Sequence, residues 1–194
     1  MFLFFDTETT GLPANWRAPP TDTENWPRIV QLAWILADAQ GALIEEKNFL
    51  IKPDGFCIPE ESTAIHGITT EHARKQGTPL VEALEAFFDA HERSHALVAH
   101  NISFDSAVLA AECVRADKPL TWLQDEQVCT MKQATDYCQL PGRYGHRWPK
   151  LIELHEILFE KPFSGAHDAL ADVQACAKCF YELHALGVLK TQKL

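Results

Sequence analysis

The chain has 194 residues, enough for one well-buried core and too few for two ordinary domains, so a single domain spanning 1–194 is expected. With 46% hydrophobic and 23% charged residues it is not a disordered chain, and the apolar start Met1-Phe-Leu-Phe-Phe5 is too short to span a membrane and lacks a basic flank. No targeting signal is read, a cytoplasmic protein with no membrane partner is expected, and the net charge of −10 argues against long, sequence-independent binding along a duplex.

Residues 3–6 read as a buried strand, and 28–38 and 42–53 as two longer strands joined by a turn at Gly41, together a three-strand meander. The intervening stretch 13–27 holds Trp16 and Trp26 without periodicity and reads as a surface loop. Leu80, Leu84, Phe87, Phe88 and His91 share one helical face, with Thr78-Pro79 as the start. A short strand at 97–99, a helix at 104–116, a strand at 127–130 and a helix at 131–138 then alternate, which implies parallel pairing. A polar loop at 139–148 leads into a helix at about 149–159, and a last helix runs from about 168 to 186. The fold class is α/β, a mixed five-stranded sheet with a meander and a parallel β-α-β part, flanked by helices. The six cysteines are irregularly spaced and read as reduced thiols, and Cys176-x-x-Cys179 has no second pair to complete a zinc site.

Three clusters carry chemistry. Asp6 and Glu8 follow an apolar run, and side chains two apart on a strand share a face, so these carboxylates need either a raised pKa or a cation. A strand-to-turn junction closed by Gly11 explains the same residues equally well. The second cluster, His100-Asn101-Ile102-Ser103-Phe104-Asp105, opens a helix just past a strand, where Asn101 can cap and Asp105 favours the helix dipole. Ligand sites of open sheets also gather there. In the third, His167-Asp168-Ala169-Leu170-Ala171-Asp172, a loop histidine and an aspartate one turn into the helix can point at the same place, although Asp168 also serves as a cap.

In order, Asp6-x-Glu8-Thr-Thr-Gly11, His100-Asn101-x-x-Phe104-Asp105 and His167-Asp168-Ala169-x-x-Asp172 resemble the three motifs of the DEDDh exonuclease family, which includes proofreading subunits, three-prime repair exonucleases and ribonuclease T-like enzymes. The resemblance implies a ribonuclease H-like fold and a 3′→5′ exonuclease that releases nucleoside 5′-monophosphates from single-stranded or frayed ends, with DNA favoured over RNA. It implies that Asp6, Glu8, Asp105 and Asp172 hold two divalent cations, Mg²⁺ or Mn²⁺, and that His167 is the general base. Hard cations prefer carboxylate oxygens, and an imidazole of pKa ~6.5 suits proton transfer near neutrality. By the same resemblance Thr9, Thr10, Leu12 and His66 contact the terminal nucleotide, and Asn101 and Phe104 line its site. Arg143, Arg147 and Trp148 belong to a basic, aromatic stretch that reads either as a single-strand track or as a solvated loop.

Expected partners are the 3′ ends of single-stranded DNA or RNA. A homodimer occurs among relatives. A replicative polymerase is the alternative partner, although the short stretch 190–194 after the last helix leaves no visible docking tail. A catalytically silent binding module is the remaining rival, disfavoured because all five catalytic positions carry the required residue types.

Overall fold

Alternation along the first strand decides what each face of the sheet meets. In the computed structural model, which describes residues 1–189, β1 (Phe2–Thr9) is followed by β2 (Ile29–Ala37) and β3 (Leu43–Leu50). Three helices come next, α1 (Glu60–His66), α2 (Thr70–Gln76) and α3 (Leu80–His91), then β4 (Ala96–Ala99), α4 (Ile102–Arg115) and β5 (Gln127–Cys129). The chain continues through α5 (Thr130–Gln133), α6 (Thr135–Cys138), a ribbon of β6 (Pro141–Gly142) and β7 (Gly145–His146), α7 (Leu151–Phe159) and α8 (Ala169–Ala185). The stretch 190–194 lies outside the described residues.

The expected mixed five-stranded sheet is present, in the order β3-β2-β1-β4-β5. β1 runs antiparallel to β2, and parallel to β4, which is parallel to β5. The C-terminal ends of β1 and β4 therefore open on the same edge.

Leu3 and Phe5 of β1 enter one core with Trp34, Leu84, Phe87, Val108 and Leu109, so α3 and α4 cover that face. Phe87 meets the rings of Phe5 and Trp34 edge-on at 5.4 and 5.6 Å. Phe2 and Phe4 enter the opposite core, where α8 lays Phe180 against them at ring separations of 5.0 and 5.1 Å. Each such ring contributes about 1.5–3 kcal/mol by burial, enough to fix which face α8 occupies.

The structure departs from the sequence expectation where elements are short. β1 extends to Thr9, so Asp6 and Glu8 lie within the strand rather than in a turn after it. α1 and α2 fill a stretch with no predicted helix, the expected helix at 131–138 is broken into α5 and α6, and the polar loop at 139–148 contains the β6–β7 ribbon.

Candidate active site

The pleat that sends Phe2 and Phe4 toward α8 sends Asp6 and Glu8 the same way, while Thr7 points toward α4. Asp105 stands in the first turn of α4, buried, and its Oδ1 accepts from the Thr7 hydroxyl at 2.8 Å and from the Thr7 backbone N–H at 3.2 Å. Asp172 stands in the first turn of α8, where the backbone N–H of His167 donates to its Oδ2 at 3.0 Å. His167 itself has φ 71°, and the turn before it hugs the helix: a side chain on Gly165, at φ 85°, would meet the Ala171 methyl at 3.1 Å.

A residue not foreseen from sequence fastens α8 to the sheet. Gln31, the register partner of Glu8 on β2, donates to Asp168 Oδ2 at 3.1 Å and accepts from the Ala169 N–H at 3.2 Å. Asp168 caps α8 as one of its two readings predicted, accepting from the Ala171 N–H at 3.1 Å. The available signal was one polar side chain in Ile29–Ala37, a strand buried along its whole length.

Strands and helix ends thus bring the carboxyl groups together, and their electrostatics register it. Burial, followed by the charges of Asp105, Asp172 and Glu8, raises Asp6 well above the ordinary carboxylate range. Glu8 is pushed to about 8 by burial and then by Asp172 and Asp105. Burial lifts Asp105 to about 7 against the lowering effect of the Thr7 bonds, and Asp172 to about 6 against the bond from His167. Among the described residues none of the four pairs with a lysine or arginine. Such a group requires protons or a cation, and an all-carboxylate set suits a hard cation. Ligand atoms of Glu8, His167 and Asp172 lie within 4.8 Å of one another, close enough to share an ion.

The other predicted residues are held by the fold to differing degrees. The Thr9 hydroxyl donates to Gly11 O at 2.7 Å and the Thr10 hydroxyl accepts from Arg28 N–H at 2.9 Å, so both shape the turn that leaves Leu12 72% exposed. His66 Nδ1 accepts from the Ile68 N–H at 3.0 Å. Its pKa is lowered, chiefly by burial, opposed by the Thr9 backbone and reinforced by His167, which places it beside both. Asn101 adopts φ 74° and makes no side-chain cap, contrary to expectation; its Oδ1 accepts from the Ser103 hydroxyl at 3.4 Å. Phe104 packs against Trp16.

In the basic stretch, the two terminal guanidinium nitrogens of Arg147 donate to Glu153 at 2.6 and 2.8 Å, whereas Arg143 lies over the Tyr144 ring at 5.1 Å and Trp148 stays exposed. His100 ties this segment to the site: its ring nitrogens sit 3.0 Å from Thr130 Oγ1 and 3.0 Å from Pro149 O.

A family model described as exonuclease matches residues 3–180. The chain belongs to the exonuclease family. It is a DnaQ-like 3′–5′ exonuclease, as its three motifs led one to expect. It is 31% identical to an uncharacterized exonuclease of Escherichia phage 186 over 88% of this chain and 81% of that one. It is 29% identical to the DNA polymerase III subunit epsilon of Treponema pallidum over 92% of this chain and 74% of that one. Among solved structures, E. coli exonuclease I in complex with a dT13 oligonucleotide superposes with a TM-score of 0.69 at 23% identity, covering 94% of this exonuclease, and a zinc-bound exonuclease I–single-stranded DNA complex gives 0.70 at 24%. The exonuclease spans only 40% of the length of those chains. Metal binding is typical of the family. No helix of the described residues is long and apolar enough to cross a membrane.

Proposed function

We propose that this exonuclease, acting as one domain, removes nucleotides from the 3′ end of a single strand by metal-assisted hydrolysis, with Asp6, Glu8, Asp105 and Asp172 as the cation ligands and His167 as general base. The observation that carries it is the convergence of four carboxylates, each with its pKa raised by burial, on a strand end where no lysine or arginine of the described residues neutralises them. Two divalent cations, Mg²⁺ or Mn²⁺, would there supply Lewis acidity for the attacking and leaving oxygens.

The chain's own groups supply orientation and the proton acceptor. Thr7 and the His167 backbone aim Asp105 and Asp172. The His167 imidazole, exposed beside Glu8 and Asp172, accepts the proton of the attacking water. Leu12 and Ile65, both exposed apolar side chains, hold the terminal base, with Thr9, Thr10, His66, Asn101 and Phe104 around it. Arg143 and Trp148 extend the track along the strand, while Arg147 braces the ribbon through Glu153. Single-stranded DNA is favoured because the exonuclease I complexes hold DNA oligonucleotides. The relationship to epsilon subunits supports a second reading, action beside a polymerase.

Matched DNA and RNA oligonucleotides carrying a 5′ label distinguish these substrates. A ladder that shortens from the 3′ end with release of nucleoside 5′-monophosphates, faster for DNA, is expected. Release from the 5′ end, or no shortening of either strand, would overturn the proposal.

A further inference from the structure

The loop at 13–27 has no periodicity in sequence, yet a set of side-chain to backbone hydrogen bonds braces it. Asn25 Oδ1 accepts from the Asn15 N–H at 2.7 Å and its amide donates back to Asn15 O at 3.0 Å. Asn15 Oδ1 accepts from the Arg17 N–H at 3.0 Å, and the buried Trp26 indole donates to Pro19 O at 3.1 Å. Arg115, reaching across from α4, donates to the carbonyls of Thr23, Trp26 and Pro27. These bonds fix the backbone that presents Trp16 and Arg17.

Trp16 is used only in part by the fold. Its ring centroid is 5.7 Å from that of Phe104, tilted by 45°, and 56% of the residue still faces solvent. Phe104 stands in the first turn of α4, the turn that also carries Asp105, so the indole lies at the same end of that helix as the acid cluster. Arg17 is exposed. Whereas Arg28, Arg93, Arg115 and Arg147 each meet a carboxylate, Arg17 meets none among the described residues. A ring face beside an unpaired cation on a rigid loop is the pairing that holds single-stranded nucleic acid, one group for the base and one for the phosphate.

We propose that Trp16 and Arg17 form a nucleotide subsite of this exonuclease, the indole stacking on an unpaired base of the substrate strand and the guanidinium taking a neighbouring phosphate. This rests on the exonuclease reading above. The subsite selects for unpaired strands, because a base inside a duplex has no free face to offer.

The test compares wild-type, Trp16→Ala, Trp16→Phe and Arg17→Gln proteins on a 5′-labelled single-stranded DNA oligonucleotide with Mn²⁺, alongside their melting temperatures. Base stacking is worth about 1–3 kcal/mol, so Trp16→Ala raises KM about tenfold while kcat stays within about twofold, and Trp16→Phe recovers most of the loss. Arg17→Gln flattens the dependence of log(1/KM) on log salt by about 0.7. Abasic residues placed in turn near the 3′ end show, at one position, a KM penalty in wild type that Trp16→Ala lacks. Unchanged KM in Trp16→Ala, equal abasic penalties in both proteins at every position, or a loss confined to kcat with lowered melting temperature would overturn the subsite alone. Wild-type protein that shortens no oligonucleotide would overturn the exonuclease reading together with it.

Discussion

His167 and His100 show how backbone and burial give the histidines of two motifs opposite environments. His167 is exposed on a left-handed turn beside Glu8 and Asp172, the place from which the proposed general base would act. Replacing it with alanine is expected to lower kcat by about 10²–10⁴-fold, the usual range for a general base, while oligonucleotide affinity holds; equal losses in both would reassign it to binding. His100 is partly buried between Thr130 and Pro149, and desolvation depresses its pKa from 6.5 to about 4, opposed by the Pro149 carbonyl. Between those values the unfolded chain binds a proton that the folded protein does not. Stability from this group is therefore present above pH 6.5 and is lost as pH falls toward 4, by at most about 3 kcal/mol. Denaturant midpoints of wild-type and His100→Asn proteins across that range should diverge on acidification, with wild type losing more. Parallel curves would show that His100 does not remain neutral in the fold.

At the scale of elements, the site is assembled by where secondary structure ends. β1 and β4 deliver Asp6, Glu8 and Asp105 to one edge because they are parallel, and α8 delivers Asp172 because Gln31 fastens its first turn to β2. Gln31→Leu keeps the volume but leaves Asp168 and the Ala169 N–H without their partner. It should cost about 1–3 kcal/mol and weaken Mn²⁺ binding measured by calorimetry; unaltered affinity would mean that α8 is positioned by its apolar face alone. The long helices were legible in sequence because each repeats its period several times, as in Leu80, Leu84 and Phe87, and strands such as β2 and β4 because each is a largely apolar run between polar or turn residues. The seven-residue helices α1 and α2 and the two-residue strands of the ribbon offer too few repeats to read. The acidic motifs were legible as spacing on a strand and at helix starts. Gln31, Thr7 and Trp16 were not, since their partners lie far away in the chain and only the fold brings them together.

The whole molecule carries a charge of −10 and spends part of it on burying carboxylates beside one another, which makes the metal-free protein less stable than its core would allow. On the proposed reading, such an exonuclease trades stability for a site that a cation would complete. The proposal would also reconcile an acidic chain with a polyanionic substrate, because the positive charge facing the phosphate would arrive with the cation.

The most direct test is the melting temperature of wild-type and Asp6→Asn proteins in chelator and as Mn²⁺ is added. In chelator the variant should melt higher, relieved of a carboxyl group that folding must otherwise protonate or bury beside like charges. At ~100 times its dissociation constant Mn²⁺ should stabilise wild type by about 2.7 kcal/mol, a rise of about 5–10 °C for a chain of this size, and leave the variant nearly unmoved. A wild-type melting temperature indifferent to Mn²⁺, or an Asp6→Asn protein that melts lower and still responds, would contradict a cation centre at these carboxylates.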